Sequence, residues 1–173
     1  IGLAVLFGFV LGVGLALLRE QADRRLHRAE DVSAAYDARV LTTVPRHRAL
    51  KRRQAFEDLP QDVAEAFRML FVNLRYVPGR RPRTVLVTSS HSKEGKTTIA
   101  WHLASAASAG GLNVVVVEAD MRRPQMAKRY NLESGPGLAE VLGGTASVND
   151  ALQTVGGSPD DPADRHPNRL QAL

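Results

Sequence analysis

Thr84-Val85-Leu86-Val87-Thr88-Ser89-Ser90-His91-Ser92-Lys93-Glu94-Gly95-Lys96-Thr97-Thr98 is the stretch on which the fold reading turns. Its first five residues are apolar or β-branched and uncharged, which predicts a buried strand. A polar loop follows, and residues 99–109 then form an Ala-rich helical segment stopped by Gly110-Gly111. A second apolar strand, Val114-Val115-Val116-Val117, comes at once. Strand, loop, helix and parallel strand in this order are the unit of an α/β sheet.

Gly95-Lys96-Thr97 stands where a phosphate-binding loop closes onto its helix. Backbone N–H groups and the positive helix end suit a phosphate. A lysine at 96 reaches the β- and γ-phosphates, and the Thr97 hydroxyl suits Mg²⁺. The full GxxxxGK[ST] pattern would place a glycine at 90, where this chain has Ser90. The expected nucleotide-contacting set is Ser92, Lys93, Glu94, Gly95, Lys96, Thr97 and Thr98. Glu118 and Asp120 follow the second strand, two residues apart, at the carboxyl edge of a parallel sheet where ligands bind. A hard cation takes carboxylate and phosphate oxygens there, and a carboxylate beside a γ-phosphate accepts a proton from an incoming hydroxyl. Lys96, Asp120 and Glu118 are therefore the candidate catalytic residues, and Thr97, Asp120 and Glu118 the candidate Mg²⁺ ligands. The plainer alternatives are that Asp120 caps the following turn and Glu118 pairs with Arg122.

Working towards the N-terminus, Val63, Ala66, Phe67, Leu70, Phe71 and Leu74 recur at helical spacing between Pro60 and Val77, with Pro78-Gly79 as the stop. Before that helix, residues 19–53 hold ten Lys/Arg and five Asp/Glu. The cluster Arg46, Arg48, Lys51, Arg52 and Arg53 suits either a solvated linker or anionic headgroups, at ~1 kcal/mol per basic residue near a surface. Residues 1–18 carry no charge and no polar side chain. A helix of this length spans ~27 Å, near the thickness of a hydrocarbon core. Arg19, Arg24, Arg25 and Arg28 follow it, which places the remainder in the cytoplasm. Gly8 and Gly12 form a small-xxx-small pair. The expected domains are a transmembrane helix over 1–18, a basic juxtamembrane linker over 19–56, and a nucleotide-binding domain over 57–173, read as truncated at its C-terminus.

The 173 residues carry a net charge of +5 and no cysteine, which excludes a disulfide framework, a thiolate nucleophile and a Cys-based zinc site. Aromatic content of 5 % argues against a binder that stacks nucleic-acid bases on rings. No Gly-x-Ser-x-Gly elbow accompanies Ser89, Ser90 and Ser92, so a phosphate loop explains them better than a hydrolase nucleophile. His102, on the loop helix, reads as a half-exposed residue with no assigned role.

Taken in order, the membrane helix, Val40-Leu41-Thr42-Thr43-Val44-Pro45, Glu65-Ala66-Phe67-Arg68, the Lys96 loop and Asp120-Met121-Arg122-Arg123-Pro124 resemble the bacterial tyrosine kinases of the capsular and exopolysaccharide family. Members of that family join a membrane chain-length regulator to a cytoplasmic kinase. Gly137-Leu138-Ala139-Glu140-Val141-Leu142-Gly143-Gly144 also resembles the family's segment after that motif. The resemblance implies an α/β, P-loop NTPase-like parallel sheet with flanking helices, here incomplete, preceded by one transmembrane helix. It implies a protein-tyrosine autokinase at the bacterial plasma membrane, using ATP and Mg²⁺ and regulating capsular or exopolysaccharide polymerisation and export. Lys96 would hold the phosphates, Thr97 and Asp120 the metal, and Glu118 would stand where a base is usually proposed. Partners would be other copies of itself, polysaccharide polymerisation and export proteins, and anionic membrane lipids, but no nucleic acid.

The chain departs from the family at Lys93, where a glycine is usual. It departs again at Phe71, where the oligomerisation pattern has its second arginine after Glu65 and Arg68, and at Glu118, an acid one methylene longer than the family's. A third acidic motif and a tyrosine cluster are not present, and the tyrosines are Tyr36, Tyr76 and Tyr130. The sheet is accordingly expected to lack a central strand and to expose apolar edges, and this piece alone is expected to be inactive. Two other functions fit the loop: an ATPase switch of the septum-placing and partitioning type, and a non-catalytic nucleotide-binding regulator of polysaccharide export.

Overall fold

The computed structural model describes residues 2–22, 37–52, 55–76, 82–133, 135–155 and 170–173. The Pro78-Gly79 stop, Arg24, Arg25, Arg28, Tyr36 and Arg53 lie outside the described residues. The chain divides into two units, Ile1–Val40 and Leu41–Leu173.

In the first unit, helix α1 runs over Gly2–Ala22 with Arg19 in its last turn. Val5, Leu6, Phe7, Phe9, Val10 and Leu11 are all exposed on it. Among the described residues no helix is long and apolar enough to cross a membrane. The expected helix is thus found, whereas its crossing of a bilayer is without support here.

The second unit is built around α3, Lys96–Ala109, between helix α2 (Gln61–Arg75) and a small sheet. Helix α2 begins after Pro60 and has Tyr76 as its C-cap. On one side of α3, Ala106 joins Val63, Ala64 and Phe67 of α2 together with Ala49, Phe56 and Leu59. On the other side, Trp101 and Ala104 join Val116, Met126, Leu170 and Ala172. A helix covered on two sides needs small residues rather than one apolar stripe, which is why the segment is rich in alanine. Ala49 and Phe56 come from the basic stretch expected as linker, so part of that stretch is packed into the folded unit.

The sheet holds β1 (Val114–Val116), β2 (Gln153–Thr154) and β3 (Leu170–Ala172) in the order β1-β3-β2. Strands β1 and β3 are parallel with Val114 opposite Leu170, and β2 pairs antiparallel with β3. The short helices α4 (Met126–Tyr130), α5 (Leu138–Leu142) and α6 (Val148–Ala151) complete the unit. The fold class is α/β with a parallel pair, as expected. The strand predicted over 84–88 is not formed: its residues take no strand pairing, and Val85 and Leu86 are 45 % and 84 % exposed. A strand is stabilised by its neighbour rather than by its own propensity, and no described segment pairs with this one. Val115 and Val117 are exposed as well, so apolar sheet surface is left open.

His102 corrects a second expectation, being 1 % exposed rather than half-exposed. Its ring lies 5.2 Å from that of Phe67 and 6.3 Å from that of Tyr130. Neither ring nitrogen has a hydrogen-bond partner among the described residues. Burial, with the positive Arg129 adding to it, pushes the imidazole down to about 4. The unfolded chain protonates near 6.5, so between about pH 6.5 and 4 the unfolded state binds a proton that the folded state refuses, and stability falls as pH falls. Urea unfolding of the native chain should lose roughly 2 kcal/mol more than His102→Phe between pH 7 and pH 4.5; equal losses would show that the imidazole is accessible to protons.

Gly110, the C-cap of α3, is fixed by packing: a Cβ there would stand 2.6 Å from Cε1 of Phe71. Phe71 in turn packs on the α2–α3 core and carries the Arg75 guanidinium 5.9 Å from its ring centre. Gly110→Ala should cost about 1–3 kcal/mol by overpacking. Thermal melts of the Phe71→Leu/Gly110→Ala pair should recover part of that loss.

Candidate functional site

The loop before α3 is shaped by two left-handed residues. Gly95 has φ +98° and serves as N-cap with no side-chain hydrogen bond to the helix. Nothing lies within 4 Å of where its Cβ would be, so conformation and not space demands the glycine. The Ile99 N–H donates to the Gly95 carbonyl at 2.8 Å, starting the helix. Among the described residues no side chain accepts from the leading N–H groups of α3, an arrangement that suits an anion. Lys93 holds φ +66°, so the loop keeps a left-handed turn with a lysine in place of the expected glycine.

Side chains tie the loop to itself. The Lys96 ammonium donates to Ser89 Oγ at 3.2 Å and to the His91 carbonyl at 3.4 Å. Ser89 Oγ donates to the same carbonyl at 2.8 Å. Glu94 accepts from the His91 N–H at 3.1 Å and from Ser90 Oγ at 3.4 Å. Its carboxyl is held below its ordinary range, first by the His91 amide and then by neighbouring serine hydroxyls and the histidine. Ser90, at the position of the missing glycine, is bonded to both Glu94 and the His91 ring. Ser92, Lys93 and Glu94 are exposed, Gly95, Lys96 and Thr97 half-buried, and Thr98 is buried.

Both carboxylates after β1 are engaged locally. Glu118 accepts from the Gln125 N–H, 3.0 Å from each of its oxygens, and from the Met126 N–H at 2.8 Å. Asp120 Oδ1 accepts from the Arg123 N–H at 3.2 Å, the turn-capping contact considered above as the plainer alternative. Glu118 makes its contacts with the start of α4 rather than with Arg122. Chain direction brings these groups to one end of the layer: α3 runs away from its loop, and β1, packed on it, runs back. No hydrogen bond among the described residues joins the Lys96 loop to Glu118 or Asp120. Among the described residues no group of three or more histidines and acids is arranged to hold a metal ion.

Residues beyond the expected set support this end of the unit. Tyr130 stacks on Trp101 at 3.7 Å with the planes 4° apart. Arg129 donates to the Leu50 carbonyl, tying α4 to the short 3₁₀ turn Arg48–Lys51. Sequence reasoning left Arg129 and Tyr130 aside, because their contacts are with residues distant along the chain. The pairing of Glu118 with α4 has a weak local signal, an acid a few residues ahead of a helix start.

An α/β unit whose helix starts uncapped at a left-handed glycine, with carboxylates leaving the adjacent parallel strand, defines the class as a candidate phosphate-binding domain. The chain is 27 % identical over 164 residues to the tyrosine-protein kinase ptk of Acinetobacter johnsonii, covering 87 % of this chain and 22 % of that one. It is 32 % identical over 91 residues to the tyrosine-protein kinase YwqD of Bacillus subtilis, covering 52 % of this chain and 38 % of the relative. Its fold matches the crystal structure of the chimerical protein CapA2B2 with a TM-score of 0.69 at 24 % identity, covering 84 % of this chain and 59 % of that one. It matches the BceF tyrosine kinase domain with a TM-score of 0.65 at 21 % identity, covering 84 % and 60 %. No family model matches the chain. The resemblance read from the motifs is borne out: the curated proteins it is similar to are named as bacterial tyrosine-protein kinases, and it spans 22 % and 38 % of the length of these two.

The left-handed Lys93 gives a test of the loop's shape. An L-residue there costs about 1 kcal/mol relative to glycine. Lys93→Gly should therefore raise the unfolding midpoint in urea; a fall would show that the lysine side chain contributes more than the backbone strain removes.

Proposed function

We propose that this chain is part of a membrane-anchored, ATP-dependent protein-tyrosine autokinase that regulates capsular or exopolysaccharide polymerisation and export at the bacterial plasma membrane. The observation that carries the reading is the uncapped start of α3, led by Gly95, with the Lys96 ammonium turned back onto Ser89 and the His91 carbonyl. That ammonium is half-buried and, among the described residues, bonded to neutral oxygens, so an anionic phosphate is a better partner for it than those it has. The names of the relatives, tyrosine-protein kinases, support phosphoryl transfer to tyrosine as the reaction class.

In this reading the N–H groups at the start of α3 bind and orient the phosphates, and Lys96 neutralises charge on them. Magnesium–ATP supplies the transferable phosphoryl group. Thr97 and Asp120 are the residues that would hold the cation. Lys93, exposed beside the loop, adds positive charge. Of the tyrosines, Tyr76 is 72 % exposed and Tyr130 is stacked against Trp101, which favours Tyr76 as an acceptor over Tyr130. Helix α1, with its exposed apolar side chains, is the proposed anchor, and the basic cluster around Lys51 faces anionic headgroups. Other copies of the chain and proteins of polysaccharide polymerisation and export are the proposed partners. With Val85 and Leu86 bare, this piece alone is expected to have little activity.

The test uses the complete protein in membranes or detergent, with γ-labelled ATP, comparing native protein with Lys96→Met and Asp120→Asn. Label should appear on tyrosine and fall by about 100-fold or more in each variant, the size expected when a charged group acting on a transferring phosphoryl is removed. ATP hydrolysis without labelled protein would instead indicate the ATPase switch, and nucleotide binding with neither reaction the non-catalytic regulator.

A further inference from the structure

The residue at the position where a base is usually proposed has its carboxylate turned to something else. Both Glu118 oxygens face the Gln125 N–H at 3.0 Å, and Oε2 also takes the Met126 N–H at 2.8 Å. These amides belong to the start of α4, where N–H groups have no acceptor within the helix, and the N-cap Gln125 supplies no side-chain hydrogen bond of its own. The backbone of Glu118 is fixed as well, its N–H donating to the Leu173 carbonyl at 2.9 Å beside the β1–β3 pair. Residues 119–124 are thus closed into a loop with the sheet at one end and α4 at the other. Asp120 lies in this loop, held by the Arg123 N–H. The α4 end is anchored in turn: Met126 is buried with Trp101 and Val116, and Tyr130 stacks on Trp101.

We infer that Glu118 is a positioning residue, a latch that ties α4 to the end of β1 and so sets where Asp120 stands, and that it neither takes the substrate proton nor binds the cation. Both oxygens are engaged by backbone N–H groups, Oε1 by Gln125 and Oε2 by Gln125 and Met126. A proton or a cation taken there competes with the amides that hold the start of α4. The extra methylene of a glutamate fits the latch, giving the carboxylate the reach to α4 from the strand end. This inference rests on the phosphate-site reading above.

Two substitutions separate the roles. Glu118→Gln keeps an oxygen that accepts from Gln125 and Met126 but abolishes the charge; Glu118→Ala removes the latch. Trp101, on which Tyr130 of α4 stacks, reports the docking of α4 without reference to activity, its emission taken as the difference between each protein and the same protein carrying Trp101→Phe. In the complete protein, Glu118→Gln should keep the native Trp101 emission and stay within about threefold of native kcat/KM, as for one weakened hydrogen bond. Glu118→Ala should shift that emission to the red and lose about 10–100-fold, as when a supporting partner is removed. Native emission in both variants, with Glu118→Gln as inactive as Glu118→Ala, would overturn the inference and make the charge itself the working group. If the native protein transfers no phosphoryl group, the functional reading fails, yet Trp101 still decides the latch: an unshifted emission in Glu118→Ala refutes it.

Discussion

Everything in the folded unit leans on α3 being covered from two sides. One side meets Val63, Ala64 and Phe67 of α2, and the other meets Val116, Leu170 and Ala172 of the sheet. Close approach on both sides leaves room for alanine but not for a run of large side chains, and the two rings it buries, Trp101 and His102, lie against the neighbouring rings of Tyr130 and Phe67. A helix clamped in this way cannot slide, so its first turn, with Gly95 and Lys96, has a fixed position relative to the end of β1. The burial that holds the sheet to α2 is thus also the burial that aims the candidate phosphate site.

That rigidity explains the tolerance for unfavourable local features. Lys93 keeps a left-handed backbone, and His102 sits with both ring nitrogens unpartnered among the described residues. Each costs stability by itself. They persist because the surrounding contacts over-determine the conformation. Phe71 illustrates the same logic at the other end of α3. Where the oligomerisation pattern would carry an arginine, this chain places a ring against Gly110 and into the α2–α3 core. The position has thus gone to internal packing, with Arg75 laid over the ring instead.

Much of this was legible from local pattern, and the failures share one cause. Helix α2 has a continuous apolar face between Pro60 and Tyr76, and α3 has glycines at both ends, so spacing and breakers suffice to find them. Strand β1 is four valines in a row from 114 to 117, and the structure pairs three of them. The 84–88 stretch carries a comparable signal and remains unpaired, because strand formation depends on a partner that composition cannot supply. The burial of His102 escapes local pattern for the same reason. Its burial comes from Phe67 and Tyr130, 35 and 28 positions away along the chain. At the site, the loop residues and the two acids could be named from spacing, but the contacts of the acids with α4 and Arg123 could not.

Helix α4 depends on the same long-range contacts. It is only five residues long and has no amphipathic signature to announce it, yet it is held at three points. Glu118 takes its first amides, Trp101 takes the Tyr130 ring, and the Leu50 carbonyl takes the Arg129 guanidinium. Isolated helices of this length do not persist in water, so tertiary contacts are what keep it in place. Those contacts reach in different directions: to the acids after β1, to the middle of α3, and to the turn in the basic stretch. A displacement at Leu50 therefore has a short mechanical route, through Arg129 and α4, to the carboxylate that closes the Asp120 loop. That route joins the turn in the basic stretch to the end of β1 through packed side chains and hydrogen bonds alone.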